Sequence, residues 1–474
     1  MSTVPSNEAI QATLDLAKER RRKGWRFFWI ALGLFVALLA LSPLIAYLTW
    51  QAHGKGLLRK QIAAISSGEP LTTREMTLAQ AVPADQPDIS GLWLAATLPF
   101  DGPAFEKACG DLPIVGTGAT IAPSDPWPNT GAVEGFLRQY ESQLAALHTA
   151  ARTPGVVRFP RQFNRGIGLL LPDVQRMRGA SRALMLQMHQ QLKHGEIDAA
   201  LESLRTQFAL ANTLEHDPIL ISMLVRMSIT AQAMQQVLVI AQSQTLTDAQ
   251  LAELQQLVRG SDLQPQFKRA FFGERAMAFH TFYLPMGMLS VNLDQVQNAE
   301  FETDRDAAGV KRPADCAKAL EIYARMIAAS ERPFPELFDE FETIDDEIKA
   351  LAAENVSLAR FQYTLTLQLI PAIHAITQAT GRSRAMRDTT DCILAAKRFE
   401  LKHGRLPTAL SELVPDFLAQ VPIDPFDGQP LRFQTIGRDL VVYSIGEDRV
   451  DNQGETDDSQ TRPDIVARMK FGKD

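Results

Sequence analysis

Acidic side chains crowd the segment between Glu447 and Asp464, near the end of the 474-residue chain. The segment holds seven Asp and Glu residues against two arginines. Calcium takes about six to eight oxygen ligands from carboxylates and backbone carbonyls, and a flexible acidic loop can supply both. The spacing departs from that of an EF-hand, because Val450 stands where a ligand is needed. On composition alone, a solvated acidic loop is the simpler interpretation.

The chain carries no familiar catalytic motif. It contains no His-Glu-x-x-His, no Gly-x-Ser-x-Gly, no Walker loop and no Gly-x-Gly-x-x-Gly leading into a helix. Glu274 and His280 are the closest acid-base candidates in the predicted helices, but their spacing places them on different faces of a helix. The other histidines stand singly, so we expect ordinary surface or partly buried roles for them. We therefore assign no catalytic or cofactor-binding residue, and we expect that the protein is not an enzyme.

The residues before the acidic loop predict a helix followed by a hairpin. Apolar residues at helical spacing end at Gly404, which suits a left-handed C-cap, and Pro407 prevents the helix from resuming. Thr408 is placed to cap a second short helix. Two strand patterns, 431–436 and 440–444, flank a turn that contains glycine and predict a β-hairpin. Together they form a small α+β module.

The order of motifs in this module resembles the C-terminal domain of the major pseudopilins of type II secretion. The motifs are, in order, Lys402-His403-Gly404-Arg405-Leu406-Pro407, Leu413-Val414-Pro415, Asp424-Pro425-Phe426-Asp427-Gly428, Tyr443-Ser444-Ile445-Gly446-Glu447-Asp448 and Asp464-Ile465-Val466. The resemblance implies an assembly component rather than an enzyme. It also implies calcium in the acidic loop, with Asp448 and Asp464 as the best-matching ligands, Asp451 as a weaker candidate and Ile445 as a backbone ligand.

An uncharged run of 24 residues, 27–50, is long enough to cross a bilayer with some tilt. Trp25, Trp29, Tyr47 and Trp50 lie at its two ends, as in the aromatic belts of membrane helices. Six basic residues precede the run and three follow it, which favours a cytoplasmic N-terminus. A cleaved signal peptide is the alternative, although the run is long for one and no clean Ala-x-Ala site follows. We expect a single-pass protein of the bacterial inner membrane with a periplasmic bulk.

Charge and cysteine content narrow the class of protein further. The net charge is −7, and the first 26 residues hold six basic and three acidic side chains, so the remainder carries −10. Such an acidic exterior argues against nucleic acid as a partner. Cys109, Cys316 and Cys392 are far apart and odd in number, which supports neither a disulfide framework nor a zinc site. Buried free thiols are the default expectation, although one pair could oxidise in a periplasm.

Changes in pattern divide the chain into five parts. These are a basic tail (1–24), a transmembrane helix (25–50), an irregular Pro/Gly-rich segment (51–130), a helical domain (131–350) and the pseudopilin-like module (351–474). In the irregular segment, Trp93 and Trp127 argue against full disorder, because large aromatic rings need a surface to pack against. The predicted fold class is mainly α, with an irregular multi-helix domain and a small α+β module.

The helical domain shows apolar residues three and four positions apart. Helices are predicted over 133–151, 169–194, 197–214, 218–241 and 248–259. Asp217 and Thr247 precede two of them as N-cap residues. No repeat of fixed period occurs, so an irregular bundle fits better than a solenoid. The apolar stretch 363–376 is too short and too polar to span a bilayer, and we interpret it as a buried core helix.

These features support two hypotheses from different classes. The first is a membrane-anchored envelope protein that acts as a structural or interaction component, with a protein partner in the envelope and a relation to type II secretion or pilus-like assembly. The alternative is an envelope-associated hydrolase whose site lies between the helical domain and the acidic C-terminal loop. A deep pocket with a nucleophile, a base and perturbed carboxylates would favour the hydrolase, whereas an open apolar groove would favour the interaction component.

Overall fold

The computed structural model describes residues 7–66, 68–118, 127, 129–243, 245–284, 302–353, 362–370, 373–437, 439–455 and 464–471. Over these residues the protein is mainly helical, with one small antiparallel sheet, as the sequence predicts. The helices are α1 (Asn7–Ala64), α2 (Thr73–Ala79), α3 (Ser90–Thr97), α4 (Pro103–Cys109), α5 (Thr130–Gln139), α6 (Glu141–Arg152), α7 (Pro172–Lys193), α8 (Ile197–Asn212), α9 (Leu220–Ser243), α10 (Asp248–Arg259), α11 (Gln264–Thr281), α12 (Pro313–Ala329), α13 (Glu336–Ala353), α14 (Thr364–Leu369) and α15 (Ile373–His403). The strands are β1 (Arg432–Ile436), β2 (Asp439–Ser444) and β3 (Ile465–Lys470).

Helix α1 is continuous over 58 residues, which corresponds to roughly 87 Å at the rise of an α-helix. By length and composition, its apolar part is able to cross a membrane, and none of its most apolar stretch is buried inside the described protein. Helix α9 also passes this test of length and composition, but over half of its apolar stretch is buried inside the protein. We therefore assign α9 to the interior and retain α1 as the candidate membrane span.

The last turns of α1 pack against α12. Gly54 allows the close approach, because a Cβ at this position would lie 2.9 Å from the backbone nitrogen of Ala314. One turn later, Leu58 is fully buried in an apolar cluster that includes Phe279 of α11 and Leu320 of α12. The candidate membrane helix and the globular part of the protein are thus joined without a flexible linker.

Two arginines hold the chain where it leaves α1. Arg275 of α11 is buried, donates to Glu69 Oε2 at 3.0 Å and donates to the carbonyl of Pro70 at 2.8 Å. Arg305 donates to Glu75 Oε1 at 2.6 Å and also contacts the carbonyl oxygen of Glu69. These bonds fix the direction of the chain after α1, since each guanidinium uses several donors on neighbouring groups.

The segment 51–130, expected to be irregular, contains the end of α1 and three short helices. A capping box in which Thr72 and Glu75 exchange hydrogen bonds starts α2. Helices of seven or eight residues span only about two turns, too short for apolar periodicity to be recognised. Trp93 and Trp127 are buried, with 2% and 6% of their surface exposed, which confirms that this segment packs onto the protein.

The predicted bundle helices are present, with ends that differ by a few residues. The structure divides the first one, predicted over 133–151, into α5 and α6 at Tyr140. Thr247 and Gln250 form the predicted capping box of α10. Asp217 does not cap α9, because its carboxylate instead binds Arg161, which also makes a bidentate contact with Asp173 of α7.

In the C-terminal module, α15 ends at His403 and Gly404 adopts a left-handed conformation with φ of 69°, which confirms the predicted C-cap. The helix expected after Thr408 is only a 3-10 turn, Leu410–Leu413. Pro415 limits it, since proline has no N–H to extend the helix. The predicted hairpin of β1 and β2 is confirmed, with Phe433 opposite Val442.

A third strand, β3, was not predicted. It pairs antiparallel with β2, where Val442 lies opposite Ala467, so β2 is the central strand. The inner face of the sheet shares one apolar core with α15 and with helices α7 to α10; this core includes Phe208, Val237, Leu394, Val442 and Met469. The module is therefore packed into the helical part of the protein.

Several smaller expectations are also met. Cys109, Cys316 and Cys392 are free and buried. In the stretch 363–376, α14 covers Thr364–Leu369 and α15 begins at Ile373; Leu365 and Ile373 are 3% and 1% exposed. These values confirm the interpretation as core; residues 371 and 372 of the stretch lie outside the described residues.

Candidate functional site

The acidic loop connects β2 to β3, and Asp464 lies at its end. Its carboxylate accepts hydrogen bonds from the backbone N–H of Gly454 at 2.8 Å and of Asn452 at 3.4 Å. Burial raises the pKa of Asp464, and the nearby carboxylates of Asp451 and Asp448 raise it further. Asp464 is the most buried of the three carboxylates predicted as calcium ligands.

The carboxylates of Asp448 and Asp451 also bind the loop's own backbone. Asp448 Oδ1 accepts from the N–H of Val450 at 3.0 Å, and Asp451 Oδ1 accepts from the N–H of Gln453 at 2.8 Å. The N–H of Ile445 donates to the carboxylate of Asp424 at 2.9 Å. The bonds of Asp448 and Asp451 are local Asx-type turns, which an acidic loop can form without an ion. The Ile445 bond instead joins the start of the loop to Asp424, 21 residues earlier.

Within the described residues, no group of three or more His, Cys, Asp or Glu side chains is placed to hold one metal ion. The loop residues Asp457 and Asp458 lie outside the described part of the chain. The described donors alone therefore do not fit a calcium site, which needs several oxygens around one point. Calcium binding by Asp448, Asp451, Asp464 and Ile445 stays a prediction.

The carboxylate of Asp424 accepts from four donors among the described residues, and the sequence analysis named Asp424 only within the motif 424–428. It is fully buried and accepts from Arg432 Nη1 at 2.7 Å, Ser444 Oγ at 2.8 Å and the N–H groups of Ile445 and Phe426. Burial raises the pKa of Asp424, while these donors favour its ionised form. The residue joins the turn before β1 to the end of β2 and fixes the start of the acidic loop.

A cavity of about 240 Å³ lies between α13, α15 and the start of the acidic loop. Its apolar wall includes Phe338 and Phe341, and its polar residues are Glu342, His374, Thr377, Gln378, Glu447 and Arg449. Phe338 stacks on Phe426 at a centroid distance of 5.1 Å, so the helical part and the hairpin module meet beside this cavity. Its position is the one that the hydrolase hypothesis requires.

The chemistry of this cavity gives the hydrolase hypothesis little support. The one hydroxyl among the described lining residues is that of Thr377, which donates to the carbonyl of Ile373 at 2.8 Å. Glu447 is paired with Arg382. A hydrolytic nucleophile needs a base within hydrogen-bond reach to accept its proton, and Thr377 has a backbone carbonyl in that position instead.

Glu274 and His280, the acid-base candidates from the sequence, both serve packing between helices. Glu274 Oε1 accepts from the N–H of Leu220 at 3.1 Å and so caps α9, the role expected of Asp217. Burial raises the pKa of Glu274 to about 7. The His280 ring lies against Gly166, where an added Cβ would come within 2.6 Å of it. Neither residue lines the cavity beside the acidic loop.

Comparison of the chain with protein-family models, curated proteins and solved structures finds no match to any of the three.

Proposed function

We propose that this protein is a single-pass component of the bacterial inner membrane that holds a helical interaction body at the periplasmic face. The observation that carries the proposal is the continuity of α1, whose apolar run is followed directly by turns packed on α12. A helix docked in this way sets both the distance and the orientation of the body relative to the bilayer. Such a fixed geometry is useful to a scaffold, which must present a surface to a partner in the envelope.

The pseudopilin-like module supplies the proposed link to type II secretion or pilus-like assembly. The motif order described above supports this part of the proposal, together with a long helix, α15, that leads into a hairpin and a calcium loop candidate. In this proposal the module packs against the helical body rather than against a filament, because its inner sheet face shares a core with α7 to α10. The protein partner would then bind the outer surface of the module.

Exposed apolar side chains on the module suggest where such a partner binds. Ile423 precedes β1 and Ile436 ends it, and they are 44% and 48% exposed. Strand β1 is also an edge of the sheet, and edge strands offer unpaired backbone groups to other chains. The hydrolase alternative has no comparable observation in its favour, since the cavity at its expected position presents no activated nucleophile among the described residues.

Topology is the first test of the proposal. A C-terminal reporter that is active only after export should be active, and protease added to spheroplasts should digest the large domain. If the domain is digested only after the spheroplasts are lysed, the proposed orientation is wrong.

Interaction is the second test. A photo-crosslinking residue at Ile436 or Ile423 of the full-length protein should give a discrete cross-linked product in cells. The matched control is Leu98, which is 55% exposed but follows α3, remote from the sheet in sequence. Products of the same pattern from all three positions, or from none, would count against a partner surface on the module.

A further inference from the structure

One face of α1, just before the apolar run, carries cations beside aromatic rings. Arg22 and Arg26 are four residues apart, and so are Arg21, Trp25 and Trp29, so the two sets form neighbouring rows on one side of the helix. Together with Lys18, Glu19 and Lys23, these side chains line an open groove on the exposed surface of the helix. The rings of Trp25 and Trp29 lie 6.2 Å apart.

The rows match the depth profile of a bilayer boundary. Arg26 directly precedes the uncharged run, which begins at Phe27. Arg22 lies about 6 Å from Arg26 along the helix axis, on the side away from that run. The headgroup layer of one leaflet is roughly 5–8 Å thick, so the two guanidinium groups span it while Trp29 reaches the hydrocarbon boundary. Guanidinium groups bind phosphate oxygens in a bidentate manner, and tryptophan prefers the interface.

The same groove also contains an ion pair, Glu19 and Lys23. Lys23 pairs with Glu19 at 3.2 Å, so its charge is already balanced within the helix. The other cations of the groove are Lys18, Arg21, Arg22 and Arg26, and they lie next to the two tryptophans. The groove thus combines an excess of positive charge with two indole rings.

We infer that this face of α1 is a binding site for an anionic phospholipid, with the phosphate held by Arg22 and Arg26 and an acyl chain lying along Trp25 and Trp29. The inference rests on the proposed membrane insertion of α1. Each basic residue near a membrane surface contributes roughly fivefold to the affinity for anionic lipid. Loss of two arginines should therefore weaken binding by more than about tenfold.

The test uses the full-length protein, purified in neutral detergent and titrated with phosphatidylglycerol or phosphatidylcholine in native mass spectrometry. Phosphatidylglycerol should bind more tightly, and the double variant Arg22→Gln with Arg26→Gln should lose that preference. The matched control is Arg59→Gln with Lys60→Gln, two exposed cations on the other side of the apolar run of α1, and it should keep the preference. Equal binding of the two lipids by the unmodified protein, or equal loss in both double variants, would overturn the inference.

A flotation assay separates this inference from the proposed function. If the protein fails to float with vesicles of either lipid after carbonate washing, the proposed membrane anchor is wrong. If it floats with both and shows no lipid preference in the titration, only the lipid site is wrong.

Discussion

The carboxylate of Glu274 on α11 accepts a hydrogen bond from the backbone N–H of Leu220, the first residue of α9, at 3.1 Å. This bond satisfies one of the N–H groups that a helix leaves unpaired at its start. It also places an acidic group in a buried position, which raises the pKa of Glu274 to about 7. An ordinary glutamate side chain has a pKa more than two units lower, so the free energy of unfolding should depend on the protonation of Glu274.

The sign of that dependence follows from the raised pKa. Between about pH 4.5 and 7 the folded state holds a proton that the unfolded state has lost, so stability falls as the pH rises through this window. Glu274→Gln stays neutral and keeps an oxygen for the Leu220 N–H. We expect it to stabilise the protein at pH 8 by about 1 to 3 kcal/mol, with a much smaller gain at pH 5.

Urea unfolding of the two proteins at both pH values measures this difference. A gain of the same size at pH 5 and pH 8 would mean that the Glu274 carboxylate does not titrate in this window.

Gly54 and Gly56 on α1 form a matched pair. An added Cβ at Gly54 would lie 2.9 Å from the backbone nitrogen of Ala314, whereas nothing lies within 4 Å of one at Gly56. Within a helix, alanine is more stable than glycine by roughly 0.5–1 kcal/mol. Gly56→Ala should therefore raise the melting temperature, while Gly54→Ala should lower it, because the backbone of α12 must move to make room.

Melting in detergent with an intrinsic fluorescence readout tests the sign of each effect. The larger change Gly54→Leu should also expose the end of α1 to limited proteolysis near residue 60, and Gly56→Leu should not. Similar behaviour of the two leucine variants would show that the docking of α1 on α12 does not depend on a close approach at Gly54.

These results show which parts of the fold follow from local sequence. The C-cap at Gly404 and the hairpin of β1 and β2 were predictable, because glycine and turn residues dictate the backbone within a few positions. The capping box of Thr247 and Gln250 is local in the same sense. Such features need no knowledge of the rest of the protein.

Other features depend on partners that are remote in sequence. Asp217 has the form of an N-cap, but the buried guanidinium of Arg161 takes its carboxylate, and Glu274 reaches Leu220 from another helix. Strand β3 pairs with β2 across the acidic loop, so nothing next to it indicates a strand. For the candidate calcium ligands, the sequence located the acidic loop but could not show that Asp464 binds backbone N–H groups within it.

Asp424 should be the most sensitive position of the hairpin module. It is fully buried and accepts from Arg432, Ser444 and two backbone N–H groups. Asp424→Asn removes the charge that Arg432 binds and turns an amide NH₂ towards other donors. Because breaking a buried ion pair by changing one partner typically costs about 3–5 kcal/mol, we expect a loss in this range.

Asp416 provides the control, since its salt bridge with Lys402 at 2.6 Å is solvent-exposed. Asp416→Asn should leave the unfolding midpoint unchanged. Unfolding of both variants in denaturant compares the two sites, and a similar small effect for each would show that the network around Asp424 is not needed for stability.

The calcium prediction is tested on the whole protein, because the sheet shares its core with α7 to α10. Asp448 is the informative residue: it is exposed and binds only the Val450 N–H among its described contacts, so its loss should damage the loop little. If the loop binds calcium, a hundredfold excess over the dissociation constant should stabilise the fold by about 2.7 kcal/mol. Asp448→Ala should remove most of the resulting rise in melting temperature, whereas Asp439→Asn on β2 should keep it. If the unmodified protein melts at the same temperature in chelator and in millimolar calcium, the loop is a solvated acidic turn and the ligand assignment fails.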